Sequence, residues 1–264
     1  MNNIALGRYL PLNSVVNRMD PRSKILIMLL VMISVFIPAG VLGYVIIGTF
    51  IILALILSKL SLGYALKAMK PMMFMMVFLL VINVLLIKTG VPLFEWGWFS
   101  IYSDAIHQTL YIVIRLMLMI IVTTILTATT KPLDLTIGIE KLLQPFEKVG
   151  LPAHIIAMMI SIALRFIPTL IEETQRIMNA QASRGVDLEN GSMKEKIMAV
   201  LALIVPLFVS AFDRADQLAN AMEARGYDPQ RQRTRYKTLK MTGYDYVGLG
   251  LAVAVMASCV VIAC

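Results

Sequence analysis

The chain has 264 residues, of which 59% are hydrophobic and only 15% charged, with a net charge of +8 and a mean hydropathy of +0.80. A soluble domain carries about a quarter charged residues, so this composition excludes a soluble globular enzyme and calls for several membrane spans. The positive balance is read as loop charge that sets topology rather than as a surface for nucleic acid.

The first twenty residues are polar and contain Arg8, Arg18 and Asp20, which is not the pattern of a cleavable signal. A run of about 18 or more apolar residues reads as a membrane span, and five segments are taken as spans. Ile25–Ile37 is short and stops at Pro38-Ala39-Gly40; Val41–Leu57 follows a tight turn; Met72–Ile87 starts just after Pro71; Ile106–Ala128 and Tyr244–Ala263 complete the set. Peptide groups in lipid need internal partners, so these segments are expected to be helices. Asp20 is placed to cap the first, with Pro21 at a position that needs no donor. Arg115 falls inside the fourth span, where a charge costs at least ~2.5 kcal/mol on insertion scales. It is expected to pair with protein or snorkel, the functional alternative being an ion or substrate pathway. The two cysteines, Cys259 and Cys264, both lie in the last apolar run and suggest neither a disulfide framework nor a metal site.

Loop charge orients the spans. Arg8, Arg18, Arg22 and Lys24 precede the first span, and Lys59, Lys67 and Lys70 lie between the second and third. The loop from Lys88 to Asp104 is nearly neutral and holds Trp96, Trp98, Phe99 and Tyr102, an interfacial belt. Basic loops stay in the cytoplasm, so the N-terminus is expected inside and the C-terminus, after an odd number of spans, outside.

Residues 131–242 carry most of the charge. A short amphipathic helix is expected from Asp134 to Lys148, closed by Gly150 and Pro152. Two longer helices then repeat one design. The first, from about Pro152 to Arg184, is apolar in front, interrupted at Pro168, polar behind from Glu172 to Gln181, and ends Ala182-Ser183-Arg184-Gly185. The second opens on a capping box of Ser192 and Glu195, is interrupted at Pro206, turns polar from Asp213, and ends Glu223-Ala224-Arg225-Gly226. Glycine after a helix end takes the left-handed cap, and arginine in the last turn suits the helix dipole. Taken singly, each Arg-Gly is only a helix stop; two alike suggest a shared task. If both apolar fronts crossed the bilayer, the matching ends would sit on opposite faces, so the expected arrangement has neither crossing and both ends cytoplasmic. Exposed Met- and Ile-rich faces of this kind call for a partner. Arg231, Arg233, Arg235, Lys237 and Lys240, ahead of the last span, are read as attraction to anionic lipid, ~1 kcal/mol per base.

The run Asn220-Ala221-Met222-Glu223-Ala224-Arg225-Gly226-Tyr227, its altered echo at Ala182-Ser183-Arg184-Gly185, and the arm Asp20-Pro21-Arg22-Ser23-Lys24 resemble the transmembrane (T) component of energy-coupling factor transporters, the EcfT/CbiQ family. The likeness covers essentially the whole chain. It implies an all-α polytopic membrane protein of about five spans: residues 1–130 with four of them, a cytoplasmic coupling-helix domain at 131–242, and the last span at 243–264. It also implies two ABC-type ATPases as partners in the cytoplasm and a small membrane S component that binds a vitamin or other micronutrient. ATP and Mg would be held by the ATPases, with no cofactor or metal on this chain. Ala182, Ser183, Arg184 and Gly185, with Ala224, Arg225 and Gly226, would form the ATPase-coupling ends. Met158, Met159, Ile162, Phe166, Leu203, Pro206 and Leu207 would meet the S component.

The residues themselves carry no Gly-x-x-x-x-Gly-Lys-Ser/Thr phosphate loop, and His107 and His154 stand apart from each other and from any acid cluster. An enzymatic role is therefore not expected. A self-contained secondary transporter would want polar residues at mid-membrane and broken helices in matching places; Arg115 alone qualifies. A T component dedicated to cobalt or nickel uptake is the alternative within the family.

Overall fold

The computed structural model describes residues 9–86, 89, 92–96, 99–149, 152–186, 192–228 and 239–264. In chain order the helices are α1 (Val15–Arg18), α2 (Pro21–Phe36), α3 (Gly40–Leu57), α4 (Leu62–Leu86), α5 (Ser103–Thr129), α6 (Pro132–Leu143), α7 (Ala153–Ser183), α8 (Met193–Ala224) and α9 (Gly243–Ala263). A 3-10 turn, Gln144–Val149, follows α6. Two short antiparallel strands, β1 (Pro92–Trp96) and β2 (Phe99–Tyr102), close the connection from α4 to α5 with Trp96 opposite Phe99. The protein is an all-α polytopic membrane protein, this hairpin being its one excursion among the described residues.

Two compact units make up the chain: Met1–Leu142 with Leu239–Cys264, and Leu143–Thr238. The division falls at 142/143, inside the stretch from 131 to 242, because α6 packs on α2. A Cβ added at Gly138 would stand 3.1 Å from Pro21 and 3.2 Å from Ile25.

The first unit is a bundle of α2, α3, α5 and α9, with α4 against α5. Val31, Val35, Ile47, Ile51, Leu55, Leu118, Val122, Ile125 and Cys259 fill its centre. The outward faces of α3 and α4 are apolar and exposed, among them Leu42, Ile52, Phe74, Val77 and Phe78, as a lipid-facing surface requires. Helix α9 approaches α2 closely at Gly248, where a Cβ would stand 2.9 Å from Met19 and 3.0 Å from Ile27.

The cytoplasmic end expected from loop charge is a polar knot built on the run Asp20–Lys24. Asp20 caps α2 by accepting from the Arg22 N–H at 2.9 Å, and Pro21 takes the first turn, as its lack of a donor favours. The reach of this knot was not evident from the local pattern. Asp245, fully buried on the first turn of α9, accepts from the Asp20 N–H at 2.8 Å, from the Ser23 hydroxyl, and from the Thr242 N–H and hydroxyl at 2.6 and 2.7 Å. Arg22 donates to the Leu239 carbonyl at 2.9 Å, and the Lys24 ammonium donates to the Thr129 carbonyl at 3.1 Å and to Thr130 Oγ1 at 3.3 Å. One short run therefore ties the starts of α2 and α9 to the end of α5.

Several sequence expectations need correction. α4 runs straight through Pro71 from Leu62, which makes the third span ten residues longer at its start than the apolar run implied and carries the exposed Lys67 and Lys70 on its first turns. Pro168 and Pro206 likewise sit inside continuous helices rather than interrupting them. A proline removes one hydrogen bond but leaves those on either side intact, and long helices absorb that loss. The helix expected from Asp134 to Lys148 is α6 followed by the 3-10 turn. Among the described residues six helices are long and apolar enough to span: Gly40–Leu57, Leu66–Leu86, Ser103–Thr129, Ala153–Ser183, Met193–Ala224 and Gly243–Ala263. Four of the five expected spans are among them; α2, with 16 residues, is about 24 Å long and falls short of the ~30 Å hydrocarbon core. Lys88, Trp98, Gly150, Arg231, Arg233, Arg235 and Lys237 lie outside the described residues.

The knot makes a stability prediction. Replacing Asp245 with Ala strands buried donors on Asp20 and Ser23, at about 1–3 kcal/mol for each unsatisfied group. Asp245→Ala is expected to lose about 3 kcal/mol or more, read as a clear drop in thermal midpoint in detergent, with Asp245→Asn losing less. An unchanged midpoint for the Ala variant would show that the carboxylate does not hold the bundle.

Candidate functional site

The second unit presents the two Arg-Gly ends, and the local sequence dictates their shape. α7 ends on Arg184 with backbone angles of −90° and 5°, and α8 ends on Arg225 with −89° and 9°. Gly185 and Gly226 follow at φ of +83° and +68°, a region that costs side chains with a Cβ. The Gly185 N–H donates to the Ala182 carbonyl and the Val186 N–H to the Gln181 carbonyl, both at 3.0 Å. The Gly226 N–H donates to the Glu223 carbonyl at 2.8 Å and the Tyr227 N–H to the Met222 carbonyl at 2.9 Å. Each end is a Schellman motif, bond for bond the same.

This capping satisfies the last carbonyls with backbone donors, so the arginines are not needed for it. Arg184 and Arg225 are both exposed. Among the described residues neither guanidinium has an ion pair or a side-chain hydrogen bond. Ser183 turns its hydroxyl back to the Asn179 carbonyl at 3.0 Å, and Ala182 and Ala224 are both exposed.

The repeat is also a symmetry. Glu173 accepts from Arg214 at 3.3 Å where α7 and α8 cross, and these residues are 41 apart in sequence. Arg184 and Arg225 are 41 apart as well, so Glu173 and Arg214 are equivalent positions, each 11 residues before its arginine tip. Contact between equivalent positions is what an approximate two-fold axis through the crossing produces. Gln181, ahead of the crossing on α7, donates to the Ala202 carbonyl, behind it on α8, at 3.1 Å, which makes the helices run oppositely. Eleven residues on each side at 1.5 Å per residue set the two tips up to roughly 33 Å apart, on opposite sides of the crossing.

Of the residues expected to meet an S component, Met158, Ile162, Phe166, Leu203, Pro206 and Leu207 are half-buried and Met159 is exposed. The uncovered apolar stripe of α8 is the neighbouring one: Ile197, Leu201, Ile204, Phe208 and Phe212, at helical spacing. The last two rings meet edge to face at 4.7 Å.

Comparison with known proteins settles the family. Residues 12–236 match the sequence profile of CbiQ, described as cobalt transport protein. A protein of Brevibacillus brevis is 44% identical over 93% of this chain and 92% of its own length. One of Thermosediminibacter oceani is 45% identical over 95% of this chain and 96% of its own, and one of Ruminiclostridium cellulolyticum 42% identical over 97% and 96%. All three are named energy-coupling factor transporter transmembrane protein EcfT. The chain belongs to the EcfT family. It is a multi-pass transmembrane component of an energy-coupling factor transporter.

Within that family frame, Asp245 is the residue that sequence reading passed over. Its only local signal is Thr242 three positions before it, a second capping-box pattern ahead of an apolar run.

The glycines give a direct check. Gly185→Ala and Gly226→Ala are each expected to cost about 1 kcal/mol and to speed amide exchange in the last turn of α7 or α8. Gly48→Ala, in open space on α3, is expected to be neutral or slightly stabilising. Equal behaviour of all three would contradict the capping geometry.

Proposed function

We propose that this chain is the coupling subunit of an ATP-driven importer, with Arg184 and Arg225 as two docking tips, each for one ABC-type ATPase. The observation that carries this is the pair of identical Schellman-capped arginines set about the Glu173–Arg214 crossing. A pair of like ATPases offers two like grooves, and two like tips related by an approximate two-fold axis match that supply. Arginine suits such a groove because its planar fork holds a carboxylate or carbonyl cluster bidentately, and the glycine beyond it turns the chain away so that the fork stands clear.

In this reading ATP and Mg belong to the ATPases. Nucleotide-driven closure moves the two tips together or apart, and the rigid crossing converts that movement into a tilt of the apolar fronts of α7 and α8. Those fronts bear on a small membrane S component that binds the vitamin or other micronutrient. Met158, Met159, Ile162, Phe166, Leu203, Pro206 and Leu207 line that side, with the exposed stripe of α8 beside them. Both tips must face the ATPases, so neither α7 nor α8 crosses the bilayer although each is long enough. The N-terminus and the coupling helices are cytoplasmic and the C-terminus external.

Losing one partner of a buried charge pair at an interface costs ~2–5 kcal/mol. The double variant Arg184→Ala/Arg225→Ala is expected to purify without its ATPases and to lose ATP-driven uptake while remaining in the membrane; normal co-purification with normal uptake would end the proposal. Topology has its own test. In a chain with Cys259 and Cys264 replaced, Ser183→Cys is expected to react with a membrane-impermeant maleimide only in inside-out vesicles. Labelling from the outside would mean that α7 crosses.

A further inference from the structure

Arg115 lies in the middle of α5, and the coupling role does not use it. Its guanidinium donates from Nε and Nη2 to one neutral oxygen, the Tyr44 hydroxyl, at 3.3 and 3.1 Å. It stands 5.4 Å from the centre of the Phe36 ring, and the rings of Tyr44 and Tyr111 lie 5.6 Å apart beside it. No carboxylate pairs with it among the described residues. A cation in a lipid-embedded bundle with only aromatic walls and one hydroxyl lacks its counter-charge. The cluster is open on one side, since Phe36 is 58% exposed.

Depth indicates where that counter-charge comes from. The Lys24 ammonium bonds the Thr129 carbonyl, which levels the lower ends of α2 and α5. From there Arg115 is fourteen residues up α5, about 21 Å, and Phe36 is twelve residues up α2, about 18 Å. The guanidinium therefore sits at the height of the turn between α2 and α3. α5 continues another twelve residues to Ser103, about 18 Å beyond. α2 is about 24 Å long and α3 about 27 Å, so the α2–α3 hairpin stops roughly 3–6 Å short of the far edge of a ~30 Å hydrocarbon core, beside a helix that reaches past it. A bilayer meets such a short element by thinning over it, which brings headgroups down.

We infer that Arg115 holds the phosphate of a phospholipid from the leaflet opposite Lys24, seated over the α2–α3 turn. The fork has its Nη1 side free of Tyr44 to take a phosphate oxygen, and the aromatic rings of Phe36 and Tyr44 flank the upper acyl chain, with Tyr111 one turn up α5 on the headgroup side. The surplus of positive charge excludes a cation as occupant, and the depth excludes a freely dissolved anion as the resting one. This inference is independent of the docking of Arg184 and Arg225.

The test is native mass spectrometry of the purified full chain, delipidated and titrated with phosphatidylglycerol, with diacylglycerol of the same acyl chains, and with inorganic phosphate. Wild type is expected to retain one phosphatidylglycerol through activation energies that strip the others. Arg115→Gln should bind that lipid at least tenfold more weakly, while Arg115→Lys, which keeps the charge, should fall in between. Diacylglycerol and inorganic phosphate should neither bind in its place nor displace it. Should Arg115→Gln not fold, the wild-type comparison of the three ligands and the Lys variant decide the matter. Equal retention by Arg115→Gln, equal binding of diacylglycerol, or displacement of the lipid by inorganic phosphate would each overturn the assignment.

Discussion

A carboxylate buried at the lower edge of the bundle holds the first unit together. Asp245 carries a charge that the interior would reject, and the structure answers it with four donors from three places: the Asp20 N–H, the Ser23 hydroxyl, and both the N–H and the hydroxyl of Thr242. Hydrogen bonds to a charged acceptor are about twice as strong as neutral ones. Those donors belong to the first turns of α2 and α9, which are therefore fixed side by side and in the same direction. Lys24, one turn up, fixes the end of α5 to the same place. The close approach at Gly248, the register of the apolar core and the level of the α2–α3 turn all follow from that alignment. Within a membrane, where apolar helices gain little from hiding from lipid, such polar ties and close packing supply what the hydrophobic effect does not.

The second unit uses the opposite device. Its chain ends satisfy themselves through backbone bonds, so that a charge is left over rather than consumed. A helix C-terminus usually recruits a basic side chain to its free carbonyls. Here the Schellman bonds of Gly185 and Gly226 occupy those carbonyls, and the two guanidinium groups project without partners among the described residues. Glu173 and Arg214, by contrast, spend their charges on each other at the crossing and set the angle from which both tips extend.

The sequence was informative wherever structure is local. The Asp20 cap with Pro21, the Ser192–Glu195 capping box and both Arg-Gly stops stand where the residues placed them, because each depends on a handful of neighbouring backbone groups. The long apolar runs became helices for an equally local reason, the need to pair peptide groups. What depends on distant partners was invisible. Asp245 meets Asp20 across 225 positions, and Arg115 meets Tyr44 across 71. Proline misled in three places, Pro71, Pro168 and Pro206, because a helix supported along its length tolerates one missing donor. The 41-residue repeat was readable as composition, yet its meaning as a two-fold axis needed the Glu173–Arg214 contact. Which stripe of α8 is uncovered depends on angular phase, and a list of apolar residues does not carry that phase.

The central claim is that the two tips serve two like partners. A photoactivatable residue placed at position 183 and, separately, at position 224, in the complete transporter within its native membrane, reads this most directly. Cross-links from both positions to ATPase subunits, at equivalent sites on the two, are the predicted result. Cross-links from either position to lipid, or to the chain's own membrane helices, with none to an ATPase, would contradict it.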